Sequence, residues 1–183
     1  MGRMLDIPEL NARVMEYRHR VFRLETLPVY TVDSDGEDFR RWQTGAPEPT
    51  WERKQPWLDF LRDESGSGKI RSRVRIFGEQ LTDYERYACE FGYAYNAEAG
   101  EQIRVLRRGE HAIPAGLVER DFWTVEDDEV LLMHYDADGR FEAAEVADDP
   151  AAYITTRDHA WDAGEPFASW WARHPELLRR SAA

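Results

Sequence analysis

The chain has 183 residues, 42% of them hydrophobic and 33% charged, with seven Trp, eight Tyr and eight Phe. That length suits one domain around one core, and that aromatic content excludes an intrinsically disordered chain. A formal charge of -12 repels a phosphate backbone unless the cations gather on one face, so nucleic acid is not expected as a direct partner.

Cys89 is the single cysteine, which excludes an intramolecular disulfide and a Cys-rich zinc site. No apolar run reaches the length of a membrane span, and the N-terminus lacks a signal peptide's apolar core. A cytoplasmic protein without membrane contact is expected. Only Lys54 and Lys69 are lysines; every other cation is arginine.

Residues 1–21 read as an N-terminal helical arm. Pro8 fits the first turn, and Leu10, Val14, Tyr17 and Val21 recur at helical spacing, forming a stripe expected to pack on the domain of residues 22–183, with docking on a partner as the alternative. Leu27, Val29 and Thr31 alternate around Pro28, the pattern of an extended segment at a sheet edge. Ser34 to Glu37 has the spacing of a capping box, opening a short helix with Phe39 and Trp42 on one side. Trp51, Trp57, Leu58 and Leu61 mark a second helical piece, broken or restarted at Pro56. Ser65-Gly66-Ser67-Gly68 reads as a flexible loop, and it leads into a strand, which is the wrong context for a phosphate loop.

From Ile70 the pattern tightens. Ile70, Val74 and Ile76 alternate with Arg71, Arg73 and Arg75, giving a strand with one apolar and one basic face whose arginines are expected to pair with carboxylates across the sheet. Thr82-Asp83-Tyr84-Glu85 is a second capping box, and Tyr84, Tyr87, Ala88 and Phe91 share one face of the helix that follows. Cys89 lies beside that face with no histidine near in sequence, so it reads as an inert small residue. Ile103 and Val105 start another strand, making a parallel strand-helix-strand crossover.

Phe122 to Val125 and Val130 to Met133 form two strands around the acidic turn Glu126 to Glu129, the second apolar on both faces as a central strand would be. Asp138-Gly139 turns the chain again. Asp149-Pro150 opens a helix carrying Tyr153, Ile154, Ala160 and Trp161, and a last helix bears Phe167, Trp170 and Trp171. The fold class is therefore α/β, with α+β as the alternative: a single mixed sheet covered by helices.

Chemistry concentrates around His134. The series His134-x-Asp136-x-Asp138-Gly139 with Glu145 follows the spacing of a calcium loop except at its first position, where His replaces Asp, and strands flank it instead of helices. His134, Asp136 and the Asp127-Asp128 pair would also suit a hydrolytic zinc or manganese site. No His-Glu-x-x-His pattern, nucleophile elbow or dinucleotide glycine motif accompanies them. No cofactor and no metal is expected.

Phe22-Arg23-Leu24-Glu25-Thr26-Leu27-Pro28, Arg73-Val74-Arg75, Leu81-Thr82-Asp83-Tyr84, Gly100 to Leu106, Asp121-Phe122-Trp123 and Met133-His134-Tyr135-Asp136 together resemble an actinobacterial family of unknown function. Its members are often encoded near helix-turn-helix regulators of the Xre type, which implies a regulatory or signalling role. More distantly, the order of elements resembles a phospholipase D-like half-domain. Its catalytic His and Lys would fall on Asp121 and Trp123, or on Arg120 and Phe122, so the likeness implies that scaffold without its catalysis.

The function expected from the sequence is a non-enzymatic binding or regulatory module in transcriptional or developmental signalling. It would hold a protein partner, such as a helix-turn-helix regulator, or a small ligand, with homo-oligomerisation left open. The expected binding residues are Arg73, Arg75, Arg104, Trp123, His134, Tyr135 and Asp136, where aromatic, arginine and acidic groups converge on neighbouring strands. The alternative is a metal-assisted or acid/base hydrolase using the His134 and Asp136 region.

Overall fold

A computed structural model of the chain describes residues 2–33 and 35–179. Its framework is one mixed sheet of eight strands in the order β1-β7-β6-β5-β2-β3-β4-β8. The strands are β1 (Met4–Leu5), β2 (Arg20–Glu25), β3 (Ile70–Phe77), β4 (Gln102–Arg107), β5 (Phe122–Val125), β6 (Glu129–Tyr135), β7 (Phe141–Val146) and β8 (Glu165–Pro166). β2, β3 and β4 run parallel, joined by helical crossovers, and the remaining pairs are antiparallel. The α/β expectation, the crossover between β3 and β4 and the interior place of β6 all hold.

Strand alternation assigns the two faces. Phe22, Leu24, Val74, Ile76, Leu106, Phe122 and Leu132 form an apolar face, covered by Tyr153, Ile154, Ala160 and Trp161 of α6 (Ala151–Ala163). Their neighbours face the other way, where the cover is larger. There α1 (Ile7–Met15) packs Leu10 and Val14 on Val21, Trp123 and Leu131. Phe167 and Trp170 of α7 (Phe167–Ala172) close over Phe77, Ile103 and Val105.

Between them on this side lie α2 (Gly36–Gln43), α3 (Trp51–Gly66) and a composite helix. That helix is α4 (Asp83–Tyr87), a π-helical segment (Ala88–Tyr93) and α5 (Ala94–Glu98). Thr82 and Glu85 make the expected reciprocal cap at its start.

Several local expectations are corrected. The first 21 residues are more than a helix: Met4 and Leu5 pair with β7, and Val21 belongs to β2. Leu27 to Val32 forms no strand, because Arg75 holds the Leu27 carbonyl and Tyr30 turns its hydroxyl onto Asp121; a single bridge joins Thr31 to Arg140. α3 runs through Pro56 unbroken, and Ser65 and Gly66 form its last turn before Gly68 takes φ +82. The capping box expected at Ser34 lies outside the described residues. Among the described residues no helix is long and apolar enough to cross a membrane.

Candidate functional site

The basic stripe of β3 faces the helical layer, and its arginines are buried. Arg71 reaches Glu64 of α3 at 2.8 Å and also donates to the Val14 carbonyl. Arg73 pairs with Glu25 of β2 at 3.0 Å and with Glu101 at 2.7 Å. Arg75 pairs with Glu85 of α4 at 3.0 Å and also holds the Leu27 carbonyl. The expectation of pairing with carboxylates holds, with helices and the neighbouring strand both supplying partners.

Burial opposes the ionised form of Glu25, but Arg23, Arg73 and Arg75 together outweigh it and hold the carboxyl well below the usual range. For Glu85 the balance reverses: burial exceeds the pull of Arg75 and of the Thr82 donors, and its carboxyl is pushed up. Cys89 is fully buried, and burial pushes its thiol well up, as suits an inert residue.

Arg23, Glu25 and Arg73 floor a cleft of about 660 Å³ between the sheet, α3 and the composite helix. Its walls carry Trp57 and Lys54 of α3 and Tyr84, Tyr87 and Phe91 of the composite helix. The volume lies within the range of small-molecule sites. Two features of the sequence make the space. The sheet surface beneath carries Arg23, Glu25 and Arg73 in place of apolar side chains, and Gly92 in the π-helical segment presents no side chain, with nothing within 4 Å of where its Cβ would stand. Ala94 N–H reaches back five residues to the Cys89 carbonyl, the rare π geometry that recurs at functional sites.

The seven residues expected from the sequence divide between the two faces. Arg73 lines the cleft, and Arg75 lies buried beside it, reaching Tyr30 Oη at 3.4 Å. Trp123 and Tyr135 come to the same side through Arg23, whose guanidinium sits 5.1 Å from the Trp123 ring and donates to Tyr135 Oη at 3.2 Å. Arg104 lies on the opposite face, donating to the carbonyls of Trp161 and Gly164 with its guanidinium 4.6 Å from the Trp161 ring.

His134 also belongs to the opposite face, between Arg120 at 3.0 Å and Glu145 at 3.1 Å. Asp136 accepts the backbone N–H groups of Asp138 and Arg140, so its carboxylate is used in shaping the turn. His134 and Asp136 therefore serve different local structures. Glu145 is taken by His134 and the Gly2 amide, away from the turn that holds Asp136 and Asp138.

Among the described residues a different group, Glu110, His111 and Glu165, has ligand atoms near enough to hold a metal. Arg173 occupies it, pairing with Glu165 at 2.5 Å and Glu110 at 3.0 Å.

Arg23, Lys54 and Gly92 were not singled out by the sequence. Arg23 resembles any other strand arginine until β5 is placed beside β2. Gly92 did carry a signal: a glycine inside a helical pattern costs about 1 kcal/mol relative to alanine and needs a reason.

A family profile, described as a domain of unknown function, DUF6879, matches residues 8–172. The chain belongs to the DUF6879 family. The match covers the whole cleft, so the site of this DUF6879 chain lies within the shared domain. A comparison with curated proteins finds no match.

Proposed function

We propose that this DUF6879 chain is a non-enzymatic binding module that holds a small ligand in the cleft between the sheet, α3 and the composite helix. The observation that carries the reading is the coincidence of cleft, π-helical segment and charged floor. Tyr84, Tyr87 and Phe91 pack on Phe39 and Trp42 of α2, and with Ala88 they also line about 660 Å³ of space above the charged strands. The resemblance to chains encoded beside helix-turn-helix regulators supports a regulatory use, in which ligand occupancy alters what a protein partner sees. A single buried cysteine suits a reducing compartment, so the proposed setting is cytoplasmic.

The phospholipase D-like likeness enters as a scaffold. The positions it would assign to the catalytic pair have other work here. Asp121 accepts from Thr26 and Tyr30, Trp123 packs under Arg23, and Arg120 holds His134. A hydrolase built on His134 and Asp136 gains no support from two side chains that serve different local structures.

Thermal-shift screening against small aromatic compounds tests the proposal, because a ligand that binds only the folded state raises its stability by about 2.7 kcal/mol at a hundredfold excess over Kd. Stabilising compounds are expected for the natural chain and none of them for Gly92→Leu, whose side chain would stand in the open space at the cleft wall. Compounds that stabilise both equally would place binding elsewhere and overturn the reading.

A further inference from the structure

A chain of charges, closed by one amide, runs along and beneath the floor of the cleft. Arg23 pairs with Glu25, Glu25 with Arg73, and Arg73 with Glu101; Glu101 accepts from Asn96 Nδ2 at 2.9 Å, and Asn96 Oδ1 accepts from Lys54 at 2.8 Å. It begins and ends on a cation. Its two carboxylates are fully engaged: Glu25 also accepts the Tyr93 hydroxyl at 2.7 Å, and Glu101 takes Arg73 and Asn96.

The terminal cations are not. Arg23 Nε is buried with no hydrogen-bond partner among the described residues. Among the described residues Lys54 donates to neutral oxygens, Asn96 Oδ1 and, at 3.5 Å, the Gly92 carbonyl. Asp38, on the α2 side of the cleft, is held by Thr50 and Arg53.

We propose that the ligand is a planar organic anion, an aromatic carboxylate whose charged group pairs with Lys54 while its ring packs among Trp57, Tyr84 and Tyr87. This rests on the ligand-binding reading and names the class of ligand. A carboxylate supplies a charged acceptor for Lys54, whose present acceptors are neutral, and a charge-assisted bond is stronger than its neutral counterpart. Rings on the walls match a flat apolar body.

The charge state of Lys54 fits the same picture. Burial lowers its ammonium to about 8, against the opposing pull of Glu101, Asp35 and Asp38 and with Arg73 acting in the same sense as burial. An anion bound there would raise it again.

Two lysines in the chain make the test clean. With 13Cε-labelled lysine, Lys54 reports from the cleft and Lys69 from outside it. The probes are matched acids and primary amides: benzoate with benzamide, and indole-3-acetate with indole-3-acetamide. The acids are expected to shift the Lys54 signal, raise its titration midpoint and bind about tenfold tighter than the amides, a difference of about 1.4 kcal/mol. Lys54→Met should abolish that preference and Lys54→Arg restore it.

Equal effects of acid and amide would overturn the anion assignment while leaving the cleft as a ligand site. No effect of either pair on Lys54 would remove both. If Lys54→Met fails to fold, the titration of the natural chain decides alone.

Discussion

Arg73 presents Nε and Nη2 to the same oxygen of Glu101, each at 2.7 Å, and both side chains are buried. Removing one member of such a pair strands the other without compensation, at a cost of about 3–5 kcal/mol. Glu101→Ala is therefore expected to lower the unfolding free energy by that amount in urea titrations. A loss below about 1 kcal/mol would mean that water or a rearranged neighbour replaces the carboxylate.

Glu25 gives the pH dependence a sign. Its carboxyl is held low in the folded chain, so the unfolded chain binds the extra proton, and the stabilisation it provides is full above about pH 5 and falls as the solution is acidified. Glu85, pushed up by burial, works in the opposite sense: its stabilisation is fullest below its unfolded pKa and declines as pH rises through the folded value. In urea titrations from pH 7 to 3, Glu25→Gln should be less stable than the natural chain at neutrality and should approach it in acid. Parallel curves would show that Glu25 does not dominate the slope.

Gly92 is predicted to trade stability against occupancy. Its φ lies outside the left-handed region and open space surrounds the place of a Cβ. Gly92→Ala should thus stabilise the chain by about 0.5–1 kcal/mol through helix propensity alone. A destabilisation, measured by thermal melting, would mean that the π-helical segment needs glycine for backbone reasons.

Gly139 ties the turn that follows β6 to the loop over the cleft. It takes φ +75, and a Cβ there would stand 2.3 Å from the Val29 carbonyl oxygen. Its own carbonyl accepts from Thr31 N at 3.0 Å. Gly139→Ala combines strain with a backbone clash, and a loss of more than about 1 kcal/mol is expected. Amide exchange should quicken at Thr31; unchanged protection there would break the proposed link.

The framework was readable in the sequence where local pattern and tertiary demand agree. Thr82 to Glu85 carries its cap in adjacent residues, and Ile70 to Phe77 alternates as a half-apolar strand must. Leu27 to Val32 misled for a physical reason. Its alternation is real, but its conformation is set by Arg75 of β3 and by Asp121, just before β5. Pro56 likewise predicts a break that tertiary packing of Leu58 and Leu61 overrides.

The site was half legible. Arg73 announces itself by strand period, and Trp123 and Tyr135 by their density in aromatic strands. Which face they occupy depends on the pairing of β2 with β5, where Arg23 meets Trp123 in register. No local pattern contains that pairing. His134 drew attention through a motif whose chemistry needs convergence, and convergence belongs to the folded chain: Glu145 holds the imidazole while Asp136 closes its own turn.

The cleft beneath the π-helical segment is the proposed ligand site. Its most direct test is an amide chemical-shift map of the 15N-labelled chain during titration with a library of small aromatic fragments, repeated on Gly92→Leu. Perturbations should cluster at Lys54, Trp57, Tyr84, Tyr87 and Gly92 and disappear in the variant. Shifts centred on His134 and Asp136, or a library that leaves the cleft unmoved, would contradict it.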